Sequence, residues 1–421
     1  MRLISLSNGM RLAHCKCLNL NSVHIGYWIN VGSFDESHKE SGIAHFLEHM
    51  VFKGTATRTA QQIAYEIEDV GGYINAYTSR EVTAFYARVL KKDIFLAADI
   101  LTEMLTEPKF PEDELERERA VVLQEILQAR DTPDDVIFDH FYHALYGSHA
   151  YSHPVLGYDH ILKSLNSQDL ERFRKKYYVS ENIVMAIVGD VEEEEAVRIG
   201  ERYALRFSTG QKTDARLVTS VHGRYFADVR DIEQVHVLFG CVGVKVSHPD
   251  YYTSQLYASI LGSGSSSRLF QEIREMKGLA YSIYACSTST SKTGSFYIYS
   301  ATSPEYVPEL LLSLREQIQK MSEDVSTEEL CRAKAQMQAS ILMTADNPFG
   351  VCEQMASHAL LFGRLLADEE VLDNISSVQR EMVLQYAQTI SRMDCTLCTV
   401  GSQRYDALQE AKVCEGCCAV W

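Results

Sequence analysis

Apolar and polar positions along the chain fall into two rhythms, and most segments occur twice. SVHIGYWINVGS (22–33) and QVHVLFGCVGV (234–244) are apolar runs that begin with Val-His and carry a Gly near the end. YINAYTS (73–79), TAFYARVL (83–90) and GSFYIYSA (294–301) alternate with a period of two, the pattern of half-buried strands. NIVMAIVGDVEEEEAV (182–197) and CTLCTVGSQRYDAL (395–408) each read as a strand, a Gly and a polar helix start. Between these runs, a period near 3.6 predicts long helices over 93–106, 111–130 and 305–321.

The helices repeat as well. FPEDELERERAVVLQEIL (110–127) aligns with VSTEELCRAKAQMQASIL (325–342) at a constant offset of 215 residues. Under that offset Glu118 matches Ala333 and Glu125 matches Ser340, so the second copy keeps the pattern without the acids. RFSTGQKTDARLVTSVHG (206–223) is polar and contains Gly, Ser and Thr, as a linker should. The expected fold class is α+β, with homologous domains at 1–208 and 224–421 joined by 209–223. Each is expected to be a mostly antiparallel sheet with helices packed on it.

A length of 421 residues agrees with more than one domain, and 46% hydrophobic with 23% charged residues is a globular composition. No apolar run reaches the ~18–20 residues of a membrane span, and MRLISLSNGMRLAHCK reads as a first strand and turn rather than a signal peptide. The expected location is cytoplasmic. A net charge of −17 argues against nucleic acid and is compatible with cationic partners. Among the eleven cysteines, Cys395-x-x-Cys398 and Cys414-x-x-Cys417, followed by Cys418, have a zinc-ribbon spacing. Cys395 and Cys398 lie in a strand-like run, however, where side chains three apart face opposite ways.

One stretch carries chemistry. GIAHFLEHMVFKG (42–54) reads as a helix, with Ser41 able to cap it and Gly54 ending it. In a helix His45 and His49 lie one turn apart and can converge on one ion, and Glu48 can reach a water bound there. The H-x-x-E-H order is that of the inverzincins, the reverse of the commoner H-E-x-x-H. Two histidines do not complete a catalytic zinc site, which needs a third protein ligand. A second histidine-rich run, DHFYHALYGSHAYSHPVLGYDH (139–160), holds His140, His143, His149, His153 and His160 without a matched acidic spacing, and reads as packing and loop residues.

GIAHFLEHMVFKGTATR (42–58), GGYINAYTSREVTAFYARV (71–89) and ERAVVLQEI (118–126) together resemble the pitrilysin (M16) family of zinc peptidases. The resemblance spans essentially the whole chain. It is strongest to the branch containing mitochondrial processing peptidase beta subunits and their bacterial relatives. It implies two homologous halves forming a clam-shell chamber, with one Zn²⁺ per chain held by His45, His49 and Glu125. Glu48 is then the general base. Glu118 matches the family's second carboxylate and supports a ligand histidine. Asn75, Ala76 and Tyr77 match the edge strand that pairs with substrate backbone. Arg274 and Tyr281 match the substrate-binding pair of the second half.

The implied activity is hydrolysis of unfolded peptides or presequence-like segments, and the net charge of −17 points to basic ones. The implied partners are a second copy or another subunit of the same family, with neither nucleic acid nor membrane. The competing reading is a noncatalytic partner or structural subunit of a two-subunit complex. Family members of that kind usually lose part of the H-x-x-E-H…E set, which is intact here.

Overall fold

The computed structural model describes residues 1–147, 149–210 and 225–402. The predicted linker lies almost wholly outside these residues, as do Cys414, Cys417 and Cys418. Two sheets organise the chain. The first contains β1 (Arg2–Ser5), β2 (Arg11–Lys16), β3 (Ser22–Ile29), β4 (Tyr73–Thr78), β5 (Thr83–Leu90) and β6 (Ile183–Gly189). Its order is β1-β2-β6-β3-β5-β4. The second contains β7 (Tyr225–Val229), β8 (Val235–Gly243), β9 (Ala280–Ser289), β10 (Gly294–Thr302) and β11 (Thr396–Gly401), ordered β7-β11-β8-β10-β9. In each sheet a single parallel pair, β2–β6 and β7–β11, joins otherwise antiparallel strands. The five-strand order is therefore the same in both, and the sequence repeat is a structural one.

Fourteen helices surround the sheets among the described residues. In chain order they are α1 (Ile43–Met50), α2 (Ala60–Glu68), α3 (Ile94–Thr106), α4 (Glu112–Asp131), α5 (Pro133–Tyr146), α6 (Asp159–Leu162) and α7 (Ser167–Tyr177). They continue with α8 (Glu193–Ala204), α9 (Tyr251–Gly262), α10 (Val307–Glu323), α11 (Thr327–Thr344), α12 (Pro348–Phe362), α13 (Asp368–Ser377) and α14 (Arg380–Ile390).

The chain forms two compact units that do not follow the sequence halves. The first draws on 1–127, 153–216 and 342–367, and the second on 128–152, 217–341 and 368–421. Each unit thus takes one helix from the other half. The reason is the sheets' second faces. On β3, Val23, Ile25, Tyr27 and Ile29 point into a core with α1 and α3, while Trp28 points the other way. Trp28, Ala84, Val184, Ala186 and Val188 are covered by Val351, Met355, Ala356 and Leu360 of α12. A sheet apolar on both faces needs a layer on each, and β6, buried at every position, reads accordingly as an unbroken apolar run. In the second unit α5 has the matching position: Phe138 and Phe141 pack edge-to-face against Tyr297 of β10 at 5.3 and 6.1 Å between ring centroids.

Candidate metal centre

α1 carries the H-x-x-E-H residues. Its apolar face, Ile43, Ala44, Phe46, Leu47 and Met50, is buried, which turns His45, Glu48 and His49 together to the other side. The expected Ser41 cap does not form. Gly42 is the N-cap residue, at φ +93°, and Ser41 Oγ is buried without a hydrogen-bond partner among the described residues. A Cβ on Gly42 would lie 2.7 Å from the Leu156 carbonyl, so only glycine lets the chain enter the helix here. The Glu36 carboxylate does the capping, accepting from the N–H groups of Gly42 (2.8 Å) and Ala44 (2.9 Å).

α4 supplies the acids. Its buried residues are Leu115, Glu118, Arg119, Val122 and Ile126, so Glu118 sits among apolar side chains with one buried arginine beside it. Glu125, seven residues and about two turns further on, is aimed at the histidines. Its Oε2 lies 3.7 Å from His45 Nε2 and 3.6 Å from His49 Nε2. Ligand atoms around a tetrahedral ion with bonds of about 2.0–2.2 Å are separated by about 3.4 Å. The three side chains therefore fit a metal ion with little movement. They are the one group of three or more His, Cys, Asp or Glu among the described residues close enough to do so. Burial, and then the neighbouring His49, push the His45 imidazole down to about 3, which keeps it in the neutral form a ligand needs.

The surrounding bonds differ between the two histidines. His49 Nδ1 is 3.1 Å from Glu118 Oε2, and Lys53 Nζ pairs with the other Glu118 oxygen at 2.6 Å. A carboxylate on the far ring nitrogen fixes the tautomer and leaves Nε2 for a metal. His45 Nδ1 is buried with no hydrogen-bond partner among the described residues. Glu48 Oε2 accepts from Thr78 Oγ1 at 2.6 Å. Burial raises the Glu48 pKa, while the Thr78 hydroxyl and His49 pull it back down.

The edge-strand residues divide by face. β4 is the last strand of its sheet and pairs only with β5. Asn75 is exposed and donates to Tyr73 Oη at 2.8 Å, and Ala76 shares a face with Thr78. Tyr77 faces the other way: its hydroxyl donates to Glu353 of α12 at 2.7 Å and accepts from the Trp28 indole at 3.3 Å. The side chain of Tyr77 thus anchors the strand, and only its backbone is available for pairing. Arg274 and Tyr281 lie in the second unit. The Arg274 guanidinium sits 4.2 Å from the Tyr281 ring and 4.6 Å from that of Phe270, and Tyr281 is 76% exposed.

Thr78, Lys53 and Glu36 went unread in the sequence. Thr78 could have been found, since it is the same-face neighbour of Ala76 beside the H-x-x-E-H helix. Nothing local marks the other two. The histidines of 139–160 gather no metal set among the described residues: His140, for one, is 2.9 Å from Asp228 across the α5–sheet contact. Cys395 precedes β11 and its free thiol is hydrogen-bonded to that of Cys241, while Cys398 is buried in the strand, so the two do not act as a pair.

The second unit has a cavity of about 350 Å³ lined by Gln255, Ala258 and Ser259 of α9, Ala285–Ser287 of β9, and Gln336 and Ser340 of α11. Positions 255, 258 and 259 have the spacing of His45, Glu48 and His49, and Ser340 is the repeat counterpart of Glu125. The same elements frame both clefts.

The pattern of the insulinase family (peptidase family M16) matches residues 18–159, and that of the peptidase M16 inactive domain matches 164–337. An uncharacterized zinc protease of Rickettsia felis is 35% identical over 397 residues, 94% of this chain and 96% of that one. A probable mitochondrial-processing peptidase subunit beta of Arabidopsis thaliana is 31% identical over 401 residues, 92% of this chain and 75% of that one. The crystal structure of a peptidase M16 inactive domain from Pseudomonas fluorescens shares the fold, with a TM-score of 0.90 at 20% identity, covering 96% and 98% of the two chains. The chain belongs to peptidase family M16. No helix among the described residues is long and apolar enough to cross a membrane.

Proposed function

We propose that the chain is a zinc-dependent endopeptidase that cuts unfolded peptides, presequence-like segments among them. The observation that carries this reading is the convergence of His45, His49 and Glu125, with Glu48 on the same helix face. The R. felis relative's name, a zinc protease, supports the choice of metal. Zinc bound there would polarise the scissile carbonyl and lower the pKa of a water toward ~7.

The chain's own residues do the rest. Glu48 takes a proton from the attacking water and hands it to the leaving amine. Thr78 holds the Glu48 carboxylate in place, and Glu118 holds the His49 ring. The outer edge of β4 supplies N–H and C=O groups to an extended substrate, so binding depends little on substrate sequence. Arg274 and Tyr281 hold substrate and the developing oxyanion. A net charge of −17 favours basic peptides, and the name of the A. thaliana relative, a subunit, supports a partner of the same family or a second copy.

Metal analysis combined with a quenched-fluorescence assay on unstructured basic peptides tests this. The expected result is about one zinc per chain and hydrolysis that chelators abolish and added zinc restores. Zinc binding without cleavage of any peptide in a diverse library would instead identify a noncatalytic subunit.

A further inference from the structure

The two histidines of the metal centre are held in different ways. His49 lies in the last turn of α1, and its ring is fixed from outside by Glu118, itself braced by Lys53. His45 has no such partner on Nδ1. Its ring can be aimed only by packing and by the backbone of the first turn, where it is the third helical residue.

That turn has no cap from its own residues. Gly42 has no side chain, and Ser41 Oγ bonds to nothing among the described residues. The free N–H groups of a helix start need acceptors, and an eight-residue helix with an open first turn frays. Glu36 closes it from outside, one carboxylate oxygen on the N–H of Gly42 and the other on that of Ala44, the residue before His45. Glu36 is fully buried and forms no ion pair among the described residues, and its acidic neighbours Asp35 and Glu40 offer no compensation. Burying an unpaired carboxylate is costly. The compensation visible here is the pair of N–H bonds and the positive end of the helix.

We infer that Glu36 is a positioning residue for metal binding: its clamp on the first turn of α1 sets the His45 imidazole at the distance from His49 and Glu125 that an ion requires. This rests on the metal reading above, and it assigns to a buried acid outside the H-x-x-E-H…E set a share of the metal affinity.

The test measures zinc affinity of the metal-free protein by competition with a chromogenic chelator, alongside the melting temperature. Glu36→Ala is expected to weaken zinc binding about 10–100-fold, the usual effect of losing a group that orients a ligand. Glu36→Gln, which keeps one accepting oxygen, should show a smaller loss and serves if the alanine variant does not fold. Combined with Glu118→Gln, which acts on His49, the losses should multiply, since the two acids orient different ligands. Unchanged zinc affinity with a lowered melting temperature would reduce Glu36 to a structural cap and overturn the inference. So would a double variant no weaker than Glu118→Gln alone. A wild-type protein that binds no zinc would sink the metal reading itself, a separate outcome.

Discussion

The cleft between α1, α4 and β4 and the cleft between α9, α11 and β9 are built from corresponding elements with opposite contents. In the first, positions spaced i, i+3 and i+4 on the short helix are His45, Glu48 and His49. In the second they are Gln255, Ala258 and Ser259. Glu125 and Glu118 on α4 become Ser340 and Ala333 on α11. Every group that can be charged or donate to a metal is replaced by a small or neutral one, while the sheet order and the helix positions stay the same. The frame is thus indifferent to the chemistry. Five side chains, three of them on a helix whose other face is wholly apolar, separate a candidate catalytic centre from a cleft without that chemistry.

The comparison can be broken most directly by moving one residue across it. Glu125→Ser gives the first cleft the residue that the second has at this position, and metal analysis should then find zinc lost or bound at least 10³-fold more weakly; retained zinc would show that the histidines suffice. Glu48→Gln keeps all three ligands, so zinc content should hold while kcat for peptide hydrolysis falls ~10²–10⁴-fold, the usual contribution of a general base. Glu118→Gln leaves Lys53 and His49 without their shared carboxylate, and zinc affinity should drop about 10–100-fold in the chelator competition. Thr78→Val removes one hydrogen bond that favours the ionised Glu48. The sign follows: the Glu48 pKa rises, and the acid limb of kcat/KM moves to higher pH with a few-fold loss near its midpoint. Smallest of all, Ser340→Ala in the second cleft should leave zinc stoichiometry and affinity within about twofold of wild type.

The sequence made the strands and long helices legible because β-period and helix-period patterns do not mimic one another, and the 215-residue offset exposed the repeat. The cluster of His45, His49 and Glu125 was legible because the two histidines are local, while the spacing to Glu125 came with the family resemblance. What stayed hidden is tertiary. Ser41 looks like a cap, yet the turn buries its hydroxyl and Glu36 takes the position from six residues before Gly42. Tyr77 is legible as part of an edge strand, but nothing in the sequence shows that the strand's pleat sends its side chain to Glu353, 276 positions away. The division at 208 and 224 follows the sequence repeat, whereas the compact units draw α5 and α12 from the opposite sides of it, because amphipathic helices advertise that they need a sheet but not which one.

That exchange sets a timetable for biosynthesis. β6 completes the first sheet at Gly189, but α12, which covers Trp28, Ala186 and Val188, ends at Phe362. The 362 − 189 = 173 intervening residues take about 10–35 s to emerge at roughly 5–20 residues per second. Through that interval the nascent chain carries an uncovered apolar sheet face, a surface that chaperones bind and that favours aggregation when translation stalls. The first unit is therefore finished only after most of the second has been made, and a message truncated near the middle yields a product with its sheet half dressed.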